Sequence, residues 1–491
     1  LLLLARPARA KVGFPAADGI YFSPDPKVVV ARTTFALLPS TDDGATWSYL
    51  CYGSLGLPIQ PYEEPALAFA SNGALVAGLD SPNVGLDVSN DLGCDWRCAG
   101  GRLAGQQIID VVARPGLAVR LVALAGTYGA IVDAGLFAQV FETADDGATW
   151  SALGSPIGPS VIAVTSLGVS ASDPMRIYVA ATRGYRSAKT ASLFVSTDGA
   201  QTWTERPISQ FLGDSVPGDG GTGGEQSILI GAVDPGDEDR VYLRSRASVS
   251  GGLARLYVTT DGGQSFLVAA TFPVPFVAPA LIGEAPSFAL SPDGSKIYVG
   301  TKERGLWIAT RAQVIFHQVN AGVSVQCLAS RQTPGGPELW ACANEYTNPP
   351  GNSDNFIVGR SVDDGVTFEA KMPTLTSLKG LAACPSGEGG TFACQASAST
   401  GTACMCQEYT SYCQTTEYPF ACQGCGMPGL DAGSEAGGAP LVDGGAQEAR
   451  RGPQSSCGSS CAAVATQDQA LGGFLAGGAV AAALLARRRR K

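Results

Sequence analysis

An all-β fold made of repeated four-stranded units follows from three features of this 491-residue chain. An octad of the form Ser/Thr-x-Asp-x-Gly-x-Thr-Trp, intact or eroded, recurs six times at a pitch of about 50 residues, the pitch expected of a propeller blade. Upstream of each octad runs an apolar strand, a Pro or Gly turn and a second strand, so each unit supplies about four strands. The composition, 45% hydrophobic and 15% charged with 63 glycines and 31 prolines, suits a large core interrupted by many turns. Together these predict a single seven-bladed β-propeller over residues 11–380.

Leu1 to Leu4 and then Ala8-Arg9-Ala10 form an apolar run followed by small residues at the −3 and −1 positions of a cut after Ala10. Residues 1–10 therefore read as the remnant of a signal peptide, with Lys11 as the mature N-terminus. The first blade opens on the hairpin signal at Asp25 and Pro26 and carries Ser40, Asp42, Gly44, Thr46 and Trp47. The second octad holds Asp91, Gly93 and Trp96, with Asp95 in the threonine place. The third is Thr143, Asp145, Gly147, Thr149 and Trp150. In the fourth, Asp198, Thr202 and Trp203 flank an Ala200 that replaces glycine, with Gly199 one place earlier, and a looser turn is expected there. Asp261, Gly263 and Phe266 make the fifth copy, and Ser361, Asp363, Gly365, Thr367 and Phe368 the sixth.

The last interval is about two pitches long. Gly305 to Thr310, running on to Phe316, fills its middle without the Asp or Gly and is read as an eroded copy, which brings the count to seven. Further hairpins are signalled at Asp173-Pro174, Asp234-Pro235 and Asp293-Gly294. Gly213 to Glu225 is too glycine-rich for a strand and is expected to be a mobile surface loop. After Phe368, Leu378 to Cys384 and Thr391 to Cys394 suggest a strand pair without an octad that closes or caps the ring.

Residues 381–426 carry seven cysteines, a density that in an exported chain predicts disulfides stapling a small segment; a zinc knuckle is the rival. Cys94 with Cys98, and Cys327 with Cys342, are plausible further disulfides, while Cys51 has no obvious local partner. A Gly/Ala/Pro-rich linker covers 427–456. In 457–491, Cys457 and Cys461 precede an uncharged run over 470–486, long enough for one transmembrane helix, and a closing basic cluster, Arg487 to Lys491.

The octads resemble the Asp-box, or bacterial neuraminidase repeat, of sialidases, several glycoside hydrolases, sortilin-like receptors and a photosystem assembly factor. That resemblance implies a hairpin turn joining the two outer strands of a blade, with the Asp accepting N–H bonds across the turn, the Gly at positive φ and the Trp burying its ring. A repeat found on nearly every blade implies a structural role for these residues. Over about the last 35 residues, cysteine, short apolar helix and terminal arginines resemble the myxobacterial C-terminal sorting signal, which implies cutting near Cys457 or Cys461 and delivery to the cell surface, possession of a membrane span being transient.

Several chemistries are excluded or weakened by composition. The single histidine, His317, rules out multi-histidine metal cages. The net charge of −10, with basic residues concentrated at the two ends, repels nucleic acid. Sialidases of the resembled family carry a Phe-Arg-Ile-Pro motif, absent here; Arg176-Ile177-Tyr178 does not replace it. Box-bearing glucanases use two aspartates across a cleft and typically a second propeller, for which the chain has no room. Asp234 to Asp239 is an acidic cluster that could offer oxygens to calcium, although a solvated turn explains it better. Arg183, Tyr185 and Arg186 form a basic aromatic stretch of ordinary surface character. No catalytic, cofactor or metal residue is assigned. The expectation is an exported, surface-anchored monomer that binds a protein or glycan partner, the rival being a surface glycoside hydrolase.

Overall fold

The computed structural model of the chain describes residues 16–379 apart from connecting segments, the longest of which are 52–64, 127–137, 213–224, 274–284 and 344–353. The signal-peptide remnant, the Cys-rich segment, the linker and the sorting tail with Cys457 and Cys461 lie outside the described residues. Among the described residues no helix is long and apolar enough to cross a membrane.

Seven antiparallel sheets form the fold, each of four strands consecutive in the chain. Blade 1 is β1 (Ala17–Phe22), β2 (Val29–Thr33), β3 (Ala36–Ser40) and β4 (Leu50–Cys51). Blade 2 is β5 (Ala66–Phe69), β6 (Leu75–Gly78), β7 (Leu86–Ser89) and β8 (Arg97–Cys98). Blade 3 is β9 (Ile108–Ala113), β10 (Leu121–Ala125), β11 (Gln139–Thr143) and β12 (Ser151–Ala152). Blade 4 is β13 (Ala163–Val169), β14 (Ile177–Arg183), β15 (Thr190–Ser196) and β16 (Thr204–Pro207). Blade 5 is β17 (Glu225–Val233), β18 (Val241–Ala247), β19 (Leu253–Thr259) and β20 (Leu267–Pro273). Blade 6 is β21 (Ser287–Leu290), β22 (Lys296–Thr301), β23 (Gly305–Thr310) and β24 (His317–Asn320), and blade 7 is β25 (Cys327–Thr333), β26 (Gly336–Cys342), β27 (Val358–Ser361) and β28 (Glu369–Met372).

The first strand of each blade packs against the first strands of its neighbours, so these strands line a central channel. Second and third strands are covered on both faces by adjacent blades, which is why runs such as Leu121 to Ala125 are apolar throughout and fully buried. Fourth strands lie on the perimeter and read as polar: Thr204–Pro207 is exposed at both ends. The hydrophobic core accordingly divides into seven clusters, one at each joint between blades. His317 is exposed on the outermost strand of blade 6, on the perimeter.

Among the described residues ring closure uses no exchanged strand, since blades 1 and 7 each have four strands consecutive in the chain. Side chains do the work instead. Trp340 of β26 is fully buried in the cluster shared by blades 7 and 1, edge-on to Phe22 with centroids 5.7 Å apart. Arg331 stacks between the rings of Phe22 and Trp340 and pairs with Asp43 of blade 1, which Arg360 also reaches at 3.2 Å. Trp47 donates from Nε1 to the Lys371 carbonyl at 3.0 Å, and the Lys379 amide donates to the Trp47 carbonyl at 2.9 Å. Leu378 and Lys379 thus lie against blade 1, and the rest of the expected strand pair, up to Cys394, lies outside the described residues.

A disulfide joins Cys327 to Cys342, directly opposed on β25 and β26. Cys94 is disulfide-bonded as well; the side chains of Cys98 and Cys51 lie outside the described residues. Glu225, expected in a loop, instead begins β17 with its carboxylate buried, accepting from the Tyr257 hydroxyl at 2.7 Å and from the Leu212 amide at 2.7 Å. The carboxylate therefore fixes the two ends of segment 213–224 to one another, since the Glu225 amide also donates to the Leu212 carbonyl.

Candidate functional site

All six octads lie between the third and fourth strands of their blades. In the first, the Ser40 hydroxyl donates to Asp42 Oδ1 at 2.9 Å and accepts from the Gly44 amide at 2.9 Å. Asp42 then accepts from the Thr46 amide and hydroxyl, each at 2.7 Å, and Trp47 Nε1 returns to the Gly44 carbonyl at 3.1 Å. The same carboxylate bonds to residue 8-minus-1 of the turn recur at Asp145 with Thr149, Asp198 with Thr202, Asp261 with Ser265 and Asp363 with Thr367. Asp91 accepts from Ser89, whose oxygen takes the Gly93 amide at 2.7 Å; Asp95 lies outside the described residues.

Two residues of every octad have positive φ, for example Asp43 at 60° with Gly44 at 76°. The fourth copy is no looser: Gly199 at 70° and Ala200 at 72° adopt the same pair of conformations, and the Ala200 amide bonds Ser196 at 2.8 Å. The expected slack is absent because the turn is held by Ser196, Asp198 and Thr202, none of which is altered. The closing aromatics differ, however. Trp47, Trp96 and Trp150 are buried, whereas Trp203, Phe266 and Phe368 are only half-buried. In the eroded copy, the Gln313 amide donates to Thr310 Oγ1 at 3.2 Å, and Phe316 packs on the core between blades 5 and 6.

The octads also join blades. A Cβ on Gly93 would meet Leu50 of blade 1 at 2.2 Å, and one on Gly365 would meet Leu306 of blade 6 at 2.0 Å. The fourth residue of the turn, where it is Asp, receives a donor from the preceding blade: Asp146 from Ser71, Asp364 from Lys296 and Tyr298, Asp43 from Arg331. Burial opposes ionisation of Asp42, but the Thr46 and Ser40 hydrogen bonds prevail and hold its carboxyl below the usual range; bonds from Thr202 and Ser196 hold Asp198 at about 2.

The acidic cluster and Arg183 are held in ion pairs. Arg311 pairs with Asp234 at 2.9 Å and Asp237 at 3.2 Å, and Arg176 with Asp239 at 3.1 Å, so the carboxylates lock blades 4, 5 and 6 together. Arg183 pairs with Glu205 at 2.8 Å; Tyr185 and Arg186 lie outside the described residues.

A second set of charged residues gathers at the channel. Asp110 stands in the middle of β9, half-buried, with Oδ2 accepting the Leu167 amide at 2.9 Å and Oδ1 its neighbour Val111 at 2.9 Å. Burial raises its pKa to about 6, against the pull of those bonds and of Arg32 and Arg244. Arg244 has its own pKa pushed down to about 10, by burial first and then by Arg246. Blades 1, 3 and 5 are not neighbours, so Arg32, Asp110 and Arg244 act on one another only across the channel. Arg32 is committed to Asp18 at 2.9 Å and to the Pro65 carbonyl at 2.8 Å. Arg244 donates to the Pro286 carbonyl at 2.9 Å, and its buried Nε has no partner among the described residues. None of the sequence-predicted residues enters this site. The available signal was a single charge inside an apolar strand at Ile109-Asp110-Val111, and two arginines, Arg244 and Arg246, in the second strand of blade 5.

No family model matches the sequence, and no curated protein matches it. Among solved structures the chain is similar to the GH74 enzyme of Niastella koreensis, at 14% identity over 72% of this chain and 85% of that one, TM-score 0.29. It is also similar to YCF48 bound to a D1 peptide, at 16% identity over 54% and 68% of the two chains, TM-score 0.29. An ancestral GH74 enzyme shares 11% identity over 72% of this chain and 56% of that one, TM-score 0.32.

Glycoside hydrolysis needs two carboxyl groups flanking the scissile bond. In the channel the groups acting most strongly on Asp110, beyond burial and its backbone bonds, are guanidiniums. That arrangement suits recognition of an anionic group, which a guanidinium with an open donor holds by charge-assisted hydrogen bonds.

Proposed function

We propose that the protein is an exported, surface-held binding propeller whose channel receives an acidic group of a protein or glycan partner, without turning it over. The observation that carries this reading is Arg244, a guanidinium from blade 5 with a buried, unpartnered Nε opposite Asp110. Export and anchoring rest on the two chain ends: the Ala8-Arg9-Ala10 cut signal and the Cys457, Cys461 and basic-end tail. A glycan-array screen on residues 11–426, read for binding and for turnover, tests it. Binding without turnover that is lost in Arg244→Leu supports the reading; turnover overturns it.

One observation favours a second reading. A carboxyl held at about 6 is suited to proton donation near neutral pH, so a surface glycoside hydrolase would use Asp110 as its acid. In that case Asp110→Asn abolishes turnover and leaves binding intact. Replacing Cys457 and Cys461 with Ser alters release or surface display if the tail is a sorting signal, and leaves display unchanged if it is a plain membrane span.

A further inference from the structure

Three successive blades begin their second strand with the same triplet, a basic residue, a β-branched residue and a tyrosine: Arg176-Ile177-Tyr178, Arg240-Val241-Tyr242 and Lys296-Ile297-Tyr298. Between blades 6 and 7 the triplet has a carboxylate to hold. Lys296 Nζ and the Tyr298 hydroxyl both donate to Asp364, the fourth residue of the blade 7 octad, each at 2.6 Å.

Between blades 4 and 5 that carboxylate is missing, because the fourth residue of the blade 5 octad is Gly262. Arg176 turns instead to Asp239 at 3.1 Å, and the Tyr178 hydroxyl to the Glu238 carbonyl at 2.5 Å. A cavity of about 370 Å³ remains at the joint, within the size range of small-molecule sites. Its walls include Arg176, Thr197, Thr204, Arg206, Asp261 and Gln264. Asp261 is occupied by its own turn, accepting from Thr259, from the Ser265 amide and from the Ser265 hydroxyl. The Arg206 side chain makes no ion pair or hydrogen bond among the described residues, and its Nε is buried without a partner. The Arg176 Nε is likewise buried and unpaired.

Asp239, paired with Arg176, stands where three other octads place their own carboxylate, since a Cβ on Gly262 would meet its Oδ1 at 2.9 Å. The guanidinium of Arg206 beside that pair keeps its donors open and is a receptor for a carboxylate brought from outside. The remaining wall is threonine, glutamine and aspartate, with Val195 the apolar member, and so matches hydroxyl groups rather than an apolar side chain. We infer that the cavity between blades 4 and 5 binds an acidic sugar residue of the uronic acid class, its carboxylate on Arg206 and its hydroxyls on Thr197, Thr204 and Gln264. This site is separate from the channel and goes beyond the function proposed there.

The test is calorimetric titration of the full chain with glucuronate, and with glucose as the neutral match. Binding of glucuronate over glucose, reduced about tenfold or more in Arg206→Leu, is expected, since one charge-assisted contact is removed. Arg206→Leu should melt with the parent, because Arg206 has no partner to abandon. Gly262→Asp sets a second carboxylate against Asp239, whose Oδ1 lies 2.9 Å from the added Cβ, at a φ of 65° where Asp43 and Asp364 sit at 60°, and should weaken glucuronate binding by repulsion. No glucuronate binding in the parent, equal binding of glucose, or binding indifferent to both substitutions overturns the inference. Loss of channel binding in Arg244→Leu with glucuronate binding retained would separate the two sites.

Discussion

Asp42, Asp145, Asp198, Asp261 and Asp363 each accept from three donors of their own turn, and the glycine two places after Asp42, Asp145, Asp261 and Asp363 lets the preceding blade come within contact. Gly93→Ala should therefore cost about 2–4 kcal/mol in urea unfolding, since the added methyl overlaps Leu50 at a φ of 96°. Asp110 acts in the opposite sense to the octad aspartates. Its folded pKa of about 6 lies above the unfolded value, so its contribution is fully present below about pH 4 and is lost as pH rises through 6. Asp110→Asn should keep the Leu167 bond, remove the decline between pH 4 and 6, and raise stability at pH 7 by about 1–2 kcal/mol. The octads were legible in the sequence because they repeat. Asp110, Arg244 and Arg206 were not, because each occurs once and only the closing of the ring gives it a neighbourhood.

Blades depend on their joints. Every hydrophobic cluster is shared by two blades, and polar contacts reinforce the same seams: Arg331 and Arg360 on Asp43, Lys296 on Asp364, Arg311 on Asp234. Asp43→Ala removes an acceptor shared by Arg331 and Arg360 but leaves Arg331 on Glu338 and the Pro26 carbonyl, each at 2.8 Å, and should lower stability by about 1 kcal/mol. A double-mutant cycle of Asp43→Ala with Arg331→Met in urea measures the coupling between the two residues. Opening the Cys327–Cys342 bridge by a double Ala replacement should cost about 3 kcal/mol for a loop of 15 residues. Four strands per unit and the eroded copy in blade 6 were readable from spacing. The half-burial of Trp203 and Phe266 was not, since spacing says where an aromatic falls and the neighbouring blade decides how far it is covered.

Across the whole ring, the acid response should be steep. The carboxyls of Asp42, Asp145, Asp198, Asp261 and Asp363 are held below their unfolded values, so the stability they supply is present above about pH 4 and is lost as pH falls toward 2. Five turns titrate in that one window, and urea midpoints measured from pH 5 to pH 2 should fall cooperatively. The absence of strand exchange also sets an order of events. Each blade is local in sequence, while the joint of blade 1 to blade 7 spans 324 residues between Trp47 and Lys371. A chain made from its N-terminus completes blade 1 early and leaves the flank of Trp47, Tyr49 and Phe22 uncovered until the last blade arrives. During that wait, a seventh blade from another molecule presents the same Trp340 and Arg331 to the same flank, so closure between chains competes with closure within one.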